Sequence, residues 1–266
     1  MSRVNRRKFL KISLASFLGM VFSPCLASEA LSCTRLVLPI PKKIREKPKV
    51  AIIIDDIGND PAPALELLDL GFPITFSILP WRPFSHELAL EIRDKGHEIM
   101  LHQPMEPIRR DISPGPGALF VTSTAEEIVR KIEENLAQLP WVTGVNNHMG
   151  SRFTSIPSKV RPALEVIKTH GLFFVDSVTT NKTVAYRTAK SLRMHTTHRD
   201  LFLDHIPCVQ SIKRQLKRLE KRALLKGHAI AIGHPFPDTV TALREHLASF
   251  DPENSCIEYV YVSSLL

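Results

Sequence analysis

The chain has 266 residues, of which 44% are hydrophobic and 23% are charged, as in a folded protein with room for a substantial core. The formal net charge is +8, but five basic residues lie before residue 12 and the first acidic residue is Glu29. Beyond these five, the chain carries 30 basic and 27 acidic residues. This distribution argues against a nucleic-acid-binding surface, because little excess positive charge remains outside the first residues.

Residues 1–27 have the three-part order of an export signal. A basic start, "SRVNRRKFLK", precedes an apolar run of 11 residues, "ISLASFLGMVF", which is too short to span a bilayer. Small residues follow, and we expect cleavage after Ala27 or Ala30. The adjacent Arg6 and Arg7 resemble the twin-arginine type of signal. We therefore expect a periplasmic or extracellular protein with no stable membrane span after processing.

Residues 28–49 are rich in proline and lysine and predict a linker, which leaves residues 50–266 as a single folded domain. The cysteines show no C-x-x-C pair and no zinc-finger spacing. Cys208 and Cys256 could form a disulfide in an oxidising compartment, but sequence alone does not show that their Cα atoms approach each other.

From Val50 onward, short strand-like runs alternate with helix-like stretches. The strand-like runs are "VAIIID", "PITFSIL", "HEIMLH", "GVNNHM", "LFFVDS", "DLFLDH", "AIAIGH" and "IEYVYV". The helix-like stretch "STAEEIVRKIEENLAQL" begins with a predicted capping box between Ser123 and Glu126. The alternation predicts an α/β fold, a distorted β/α barrel of seven or eight mainly parallel strands, with a doubly wound open sheet as the alternative.

Polar residues stand at the carboxyl ends of these predicted strands. They are Asp55, Asp56, His102, His148, Asp176, Asp204, His205 and His234. In a β/α barrel the carboxyl ends of all strands meet on one face, where active sites are built. Residues that are far apart in the chain are therefore expected to form one site.

The residue types in this set are suited to metal-assisted hydrolysis. The adjacent carboxylates of Asp55 and Asp56 would raise each other's pKa unless a cation or a chemical task occupied the position. Two histidines and one carboxylate suit a borderline divalent ion such as zinc. A second carboxylate can then act as a base toward water, and a further histidine can act as an acid. The chain has no G-x-S-x-G motif and no phosphate-binding glycine motif, which argues against a serine hydrolase or a nucleotide-binding protein.

Several segments resemble the polysaccharide deacetylases, and most closely the divergent polysaccharide deacetylase family. They are "AIIIDDIG", "LHQPMEP", "GPGAL", "GVNNHMGSRFT", "GLFFVDS", "RDLFLD" and "AIAIGHP", in this order. The resemblance extends from Val50 to the C-terminus. It implies a metal-dependent enzyme that removes N- or O-acetyl groups from glycans.

The resemblance also implies roles for single residues. Asp55 corresponds to the catalytic base of the family, Asp56 to its metal-binding aspartate, and His102 to the first histidine of its H-x-x-x-H segment. His234 corresponds to the histidine that protonates the leaving group. The second histidine of that segment is Glu106 here, which is a departure from the pattern of the ordinary deacetylases.

His148 is the candidate that replaces the missing ligand, so the expected metal site is Asp56, His102 and His148. Arg152 is the candidate for the arginine that orients the base in the ordinary deacetylases. Glu106, Arg152, Asp176 and Ser177 are expected to bind or orient the substrate.

The resulting expectation is an exported metal-dependent hydrolase that deacetylates a cell-envelope polysaccharide such as peptidoglycan. The expected ion is zinc, with cobalt, nickel or manganese as alternatives. Two other functions remain open on the sequence: a non-catalytic glycan- or peptidoglycan-binding module on the same fold, and another metal-dependent cell-wall hydrolase such as a glycosidase or an amidase. Nucleic acid is not expected as a partner.

Overall fold

The predicted alternation of strands and helices is present in residues 46–266, the part of the chain that the computed structural model describes. The predicted export signal and most of the predicted linker lie outside the described residues. The first strand begins at Lys49, one residue before the predicted start of the domain.

The described residues contain nine strands and seven helices. The strands are β1 (Lys49–Ile57), β2 (Thr75–Ile78), β3 (Glu98–Met105), β4 (Gly144–Met149), β5 (Phe173–Asp176), β6 (Thr196–His198), β7 (Leu201–Phe202), β8 (His228–Gly233) and β9 (Glu258–Tyr259). The helices are α1 (Pro61–Leu68), α2 (Ser85–Asp94), α3 (Ala125–Gln138), α4 (Pro157–Thr169), α5 (Ala185–Ser191), α6 (Val209–Lys226) and α7 (Pro237–Ala248). None of these helices combines the length and the apolar character that crossing a membrane requires.

The strands form one curled parallel sheet in the order β6-β5-β4-β3-β2-β1-β8-β7, and β9 pairs with the start of β1. Strands that follow each other in the chain are mostly neighbours in space, as in a β/α barrel. Within residues 46–266 no pairing joins β6 to β7, so the barrel is open at that point. The distorted barrel is confirmed, and the doubly wound alternative is wrong.

Some short elements differ from the prediction. Helix α5 and strand β6 are missed by the prediction, because α5 has only seven residues and β6 only three, which gives little periodicity to detect. The run "IEYVYV" contributes only the two residues of β9, and "DLFLDH" only the two residues of β7. The capping box of α3 uses Thr124 and Glu127, one residue later than predicted.

Apolar side chains fill both faces of the sheet, which is typical of parallel strands. On β1, Val50, Ile52 and Ile54 pack in the larger core together with residues of the helices. Ala51 and Ile53 belong to a second, smaller core on the opposite, inner face. This alternation decides which strand residues reach the interior of the barrel. Cys208 and Cys256 are both exposed and not bonded to each other.

Candidate metal centre

The polar residues of the site continue the inner face of the sheet. On β1, Ala51 and Ile53 lie in the inner core, and Asp55 follows with the same two-residue period. On β8, Ile232 lies in the inner core and His234 follows two residues later. The same face carries His102 on β3, His148 on β4 and Ser177 directly after β5. The strand ends therefore converge as the barrel prediction requires.

A backbone irregularity turns Asp56 toward this face, although strict alternation would place it on the other. The register between β1 and β2 shifts between Ile54 and Ile57, and Asp56 has a φ of 61°. A left-handed φ costs a non-glycine residue about 1–2 kcal/mol. Strain of this kind at a strand end is frequent in functional sites, where it aims a particular side chain.

Three atoms of the type that bind metals meet beside this irregularity. Asp56 Oδ1 lies 3.2 Å from His102 Nε2 and 2.9 Å from His148 Nδ1, and the two ring nitrogens are 3.2 Å apart. Zinc with bonds of about 2.0–2.1 Å and tetrahedral angles separates its ligand atoms by about 3.3 Å. The three predicted ligands thus form a triangle whose size fits a zinc ion.

The carboxylate oxygen in this triangle lacks a hydrogen-bond donor. Asp56 Oδ1 is buried, and neither imidazole reaches it with hydrogen-bond geometry despite the short distances. Burial alone would raise the pKa of Asp56, but the ring nitrogens of His102 and His148 outweigh it and hold the pKa well below its usual range. A buried carboxylate oxygen without a hydrogen-bond donor, flanked by two imidazole nitrogens, is a position that a cation fits.

Asn146 fixes the orientation of the first histidine. Its Nδ2 donates to Asp55 Oδ1 at 2.7 Å, so its own oxygen must be the acceptor for Ser77 Oγ at 2.6 Å and His102 Nδ1 at 2.7 Å. This assignment places a proton on Nδ1 of His102, so that Nε2 of the neutral ring would direct its lone pair toward Asp56. Such a second hydrogen bond is the usual support of a metal-binding histidine.

Asp55 is buried next to the candidate metal position. One of its oxygens is held by Asn146, and the other, Oδ2, lies 3.6 Å from His102 Nε2. Burial raises the pKa of Asp55 above its ordinary value, although the charges of His102 and His234 oppose this. Burial disfavours the charged form of His102, but the two neighbouring aspartates outweigh it and raise its pKa. A buried carboxylate with one free oxygen is suited to accept a proton.

His234 is held by an aspartate from the loop after β7. Its Nδ1 donates to Asp204 Oδ1 at 3.0 Å, and its backbone N–H donates to Asp204 Oδ2 at 2.5 Å. Thr239 Oγ1 also donates to Oδ2, at 3.0 Å. Burial lowers the pKa of His234, but the hydrogen bond and charge of Asp204, together with the charges of Asp55 and Asp56, raise it to about 9. His234 is therefore protonated at neutral pH and is suited to act as an acid.

Glu106 and Arg152 form an ion pair outside the cavity described below. The second carboxylate oxygen of Glu106 accepts from the backbone N–H of Val121 at 2.7 Å, and the backbone N–H of Arg152 donates to the carbonyl of Glu106 at 3.2 Å. The pair links the loops that follow β3 and β4. Within residues 46–266 no hydrogen bond joins Arg152 to Asp55, so the predicted orienting role of Arg152 stays a prediction without a contact that supports it.

Asp176 and Ser177 differ in what they offer a ligand. Asp176 is fully engaged, because it accepts from Val178 N at 2.9 Å, Thr183 Oγ1 at 2.8 Å and Tyr186 N at 3.1 Å. It stabilises the turn that leads to α5. Ser177 is buried, and its Oγ has no hydrogen-bond partner among the described residues. Of the two, Ser177 has a free polar atom.

A cavity of about 420 Å³ brings most of these groups together. Its polar lining includes Asp55, Asp56, His102, His148, Ser177 and His234, whereas Glu106, Arg152 and Asp176 do not line it. Its apolar lining includes Ile108, Met149 and Phe202. This volume lies within the range of about 300–1,000 Å³ that is typical of small-molecule sites.

The fold and this arrangement together define a β/α-barrel protein with a candidate metal centre, a buried carboxylate and a paired histidine at the carboxyl ends of its strands. The chain belongs to the divergent polysaccharide deacetylase family, whose model matches residues 52–266. The family predicted from the sequence motifs is thereby confirmed.

Individual proteins are similar to most of this chain. The chain is 34% identical over 218 residues to the uncharacterized protein YibQ of Escherichia coli (strain K12), a match that covers 82% of this chain and 67% of YibQ. It is 31% identical over 206 residues to an uncharacterized protein of Haemophilus influenzae, with 77% of this chain and 73% of that protein covered. The crystal structure of the uncharacterized protein ATU2773 from Agrobacterium tumefaciens C58 superposes with a TM-score of 0.78 and 26% identity, over 83% of this chain and 89% of that one.

Asn146 and Asp204 are site residues for which the sequence predicts no role. Asn146 lies two residues before His148 on β4, so strand periodicity was the signal that could have placed it on the inner face. Asp204 is one of the predicted strand-end residues, but no sequence pattern pairs it with His234, which lies 30 residues later in the chain. The neighbouring His205 is exposed and does not line the cavity.

Proposed function

We propose that this protein is a metal-dependent hydrolase that removes acetyl groups from an N- or O-acetylated polysaccharide of the cell envelope. The observation that carries the proposal is a single cavity that joins the metal-type triangle, a buried carboxylate with one free oxygen and a protonated histidine. Membership of the divergent polysaccharide deacetylase family supports it. The export signal predicted in residues 1–27 agrees with a substrate outside the cytoplasm.

Asp56, His102 and His148 would hold the ion. One carboxylate oxygen and two imidazole nitrogens form a donor set that suits zinc first, while cobalt, nickel and manganese also accept such ligands. When it is bound, a divalent ion supplies Lewis-acid chemistry at this position.

Asp55 accepts the proton of the attacking water. Its Oδ1 is held by Asn146, which leaves Oδ2 free on the side of the cavity that the ligand triangle occupies. As the water oxygen forms a bond to the acetyl carbon, one water proton passes to Oδ2. Because Asn146 fixes the carboxylate, Oδ2 is already oriented for the proton transfer, whereas a mobile side chain would first have to be ordered.

His234 supplies a proton to the leaving group. As the bond between the acetyl carbon and the sugar nitrogen or oxygen breaks, the departing atom takes the proton from Nε2 of His234. Asp204 keeps Nδ1 engaged and stabilises the charged ring before this transfer. The unpaired hydroxyl of Ser177 is available to hydrogen-bond the substrate.

Release of acetate by the zinc-loaded full chain from N-acetylated chitooligosaccharides and from acetylated peptidoglycan tests the proposal. Asp55→Asn should lower the rate about 10²- to 10⁴-fold because it removes the base but keeps the shape of the side chain. Asp69→Asn, at an exposed position on the end of α1, is the matched control and should have no effect.

Retained activity in Asp55→Asn would contradict the assigned base. Glycan binding without any acetate release would favour the binding module, and the release of reducing sugar ends would favour a glycosidase.

A further inference from the structure

Phe236 is an exposed aromatic ring beside the proposed acid. It is 44% exposed and belongs to neither hydrophobic core of the described residues. Its ring centroid lies 5.4 Å from that of His234, and the two ring planes are only 25° apart. Isolated exposed apolar residues are common on protein surfaces, so exposure alone assigns no role. What distinguishes Phe236 is its rigid backbone and its contact with His234.

The backbone around Phe236 is firmly fixed. Pro235 and Pro237 flank it and restrict the chain on both sides. Its N–H donates to the carbonyl of His234 at 2.8 Å, and its own carbonyl accepts from Thr239 N at 2.9 Å in the first turn of α7. A ring on such a backbone loses little conformational entropy when a ligand covers it.

A second aromatic ring near His234 has a different environment. Phe202 lies 6.0 Å from His234 between ring centroids, lines the cavity and packs partly against the inner core. The guanidinium carbon of Arg199 lies 3.5 Å from the centre of the Phe202 ring, and Arg199 Nε donates to the carbonyl of Ser177 at 2.7 Å. Phe202 is therefore anchored from within the protein, whereas Phe236 does not line the cavity, is open to solvent and touches the site through His234.

We propose that Phe236 binds the sugar ring from which the acetyl group is removed, by packing against the apolar C–H face of a hexopyranose. The proposal rests on the proposed function. The departing atom that His234 protonates is bonded directly to this sugar, so the sugar ring must lie within a few ångströms of His234. Phe236 is the exposed aromatic ring in contact with His234, and aromatic faces pack well against such apolar surfaces. The site is therefore expected to favour acetylated hexopyranoses over acetylated molecules without a sugar ring.

The test measures the binding of N,N′,N″-triacetylchitotriose to the zinc-loaded full chain, by calorimetry and by saturation-transfer NMR. The wild-type protein should bind the trisaccharide, and saturation of aromatic protons should transfer to the C–H protons of one sugar ring. Phe236→Ala should weaken binding about tenfold and remove this transfer. Phe236→Trp should preserve both, since it keeps an aromatic face. Phe120→Ala is the matched control, because Phe120 is 42% exposed, much like Phe236, but makes no ring contact with His234.

Wild-type affinity in Phe236→Ala, or an absence of trisaccharide binding to the wild-type protein, would overturn the proposal. A role confined to shielding His234 from water would shift the pH dependence of turnover and leave trisaccharide binding unchanged, which would also overturn it. Trisaccharide binding that depends on Phe236 without acetate release would sustain the contact between Phe236 and the sugar ring but contradict the proposed hydrolase. Acetate release together with trisaccharide binding that does not depend on Phe236 would contradict this inference and support the proposed hydrolase.

Discussion

Asn146 connects the candidate base and the candidate ligands through one amide group. Its nitrogen holds Asp55 and its oxygen holds Nδ1 of His102, while Ser77 donates to the same oxygen. An amide is needed here because a single planar group must donate to a carboxylate and accept from an imidazole at once. An aspartate could not donate to Asp55 in its ionised form.

Asn146→Ala is predicted to weaken zinc binding about 10- to 100-fold, because His102 loses the hydrogen bond that orients its ring. Competition with a chromogenic chelator measures the affinity. Asn254→Ala, at an exposed position near the C-terminus, serves as control and should bind zinc as the wild-type protein does. Zinc affinity within twofold of wild type in Asn146→Ala would show that the amide does not support the site.

Asp204→Asn is predicted to move the alkaline limb of kcat/KM to lower pH. The protonated His234 is the active form, so activity is present below its pKa, which is raised to about 9, and is lost as the pH rises through that value. Removing the charge of Asp204 lowers this pKa by about one to two units, so activity is lost at a correspondingly lower pH. An alkaline limb that stays at the wild-type position would mean that another group supplies the proton.

At the scale of the elements, β1 places two adjacent carboxylates on the same side of a sheet. Regular alternation would separate them, but the shifted register after Ile54 and the left-handed φ of Asp56 bring both into one cavity. The left-handed φ therefore lowers the backbone stability at the end of β1 and directs Asp56 toward His102 and His148.

Asp56→Gly is predicted to abolish zinc binding and, in the metal-free state, to have a free energy of unfolding about 1 kcal/mol higher than that of Asp56→Ala. Both variants lack the carboxylate and its interactions with His102 and His148, but only glycine adopts the left-handed φ without strain. Asp69→Gly and Asp69→Ala are the control pair, because at a φ of −79° glycine relieves no strain and should be the less stable of the two. Urea denaturation in the presence of a chelator measures all four variants. An Asp56→Gly protein that is no more stable than Asp56→Ala would contradict the strain assigned to this strand end.

The same elements show what sequence can and cannot predict. Side chains alternate between the two faces of any strand, including β1, β3, β4 and β8. In a barrel fold this alternation brings Asp55, His102, His148 and His234 together on the inner face. The exact position of the capping box does not follow from the sequence. The segment "STAEE" satisfies the motif at both Ser123 and Thr124, and only the packing of α3 decides between them. The inward turn of Asp56 depends on a local φ that its sequence does not specify.

At the scale of the whole molecule, the open barrel brings residues from six strand ends around one cavity. Pairings between distant chain segments, such as Arg152 with Glu106 and Asp204 with His234, depend on how the loops cross that face. The sequence motifs predict the fold and the shared placement of the strand-end residues, but no motif specifies these loop contacts. The central claim is that the three ligand-type atoms bind a metal ion.

Elemental analysis by mass spectrometry tests this claim most directly. The full chain is incubated with zinc, dialysed and compared with His102→Ala/His148→Ala, and with His170→Ala/His228→Ala as a control at two exposed histidines. About one zinc per chain in the wild-type and control proteins, lost in the first double variant, is the predicted result. A wild-type protein that retains no zinc, cobalt or nickel, or a first double variant that retains the same amount as wild type, would contradict the metal centre.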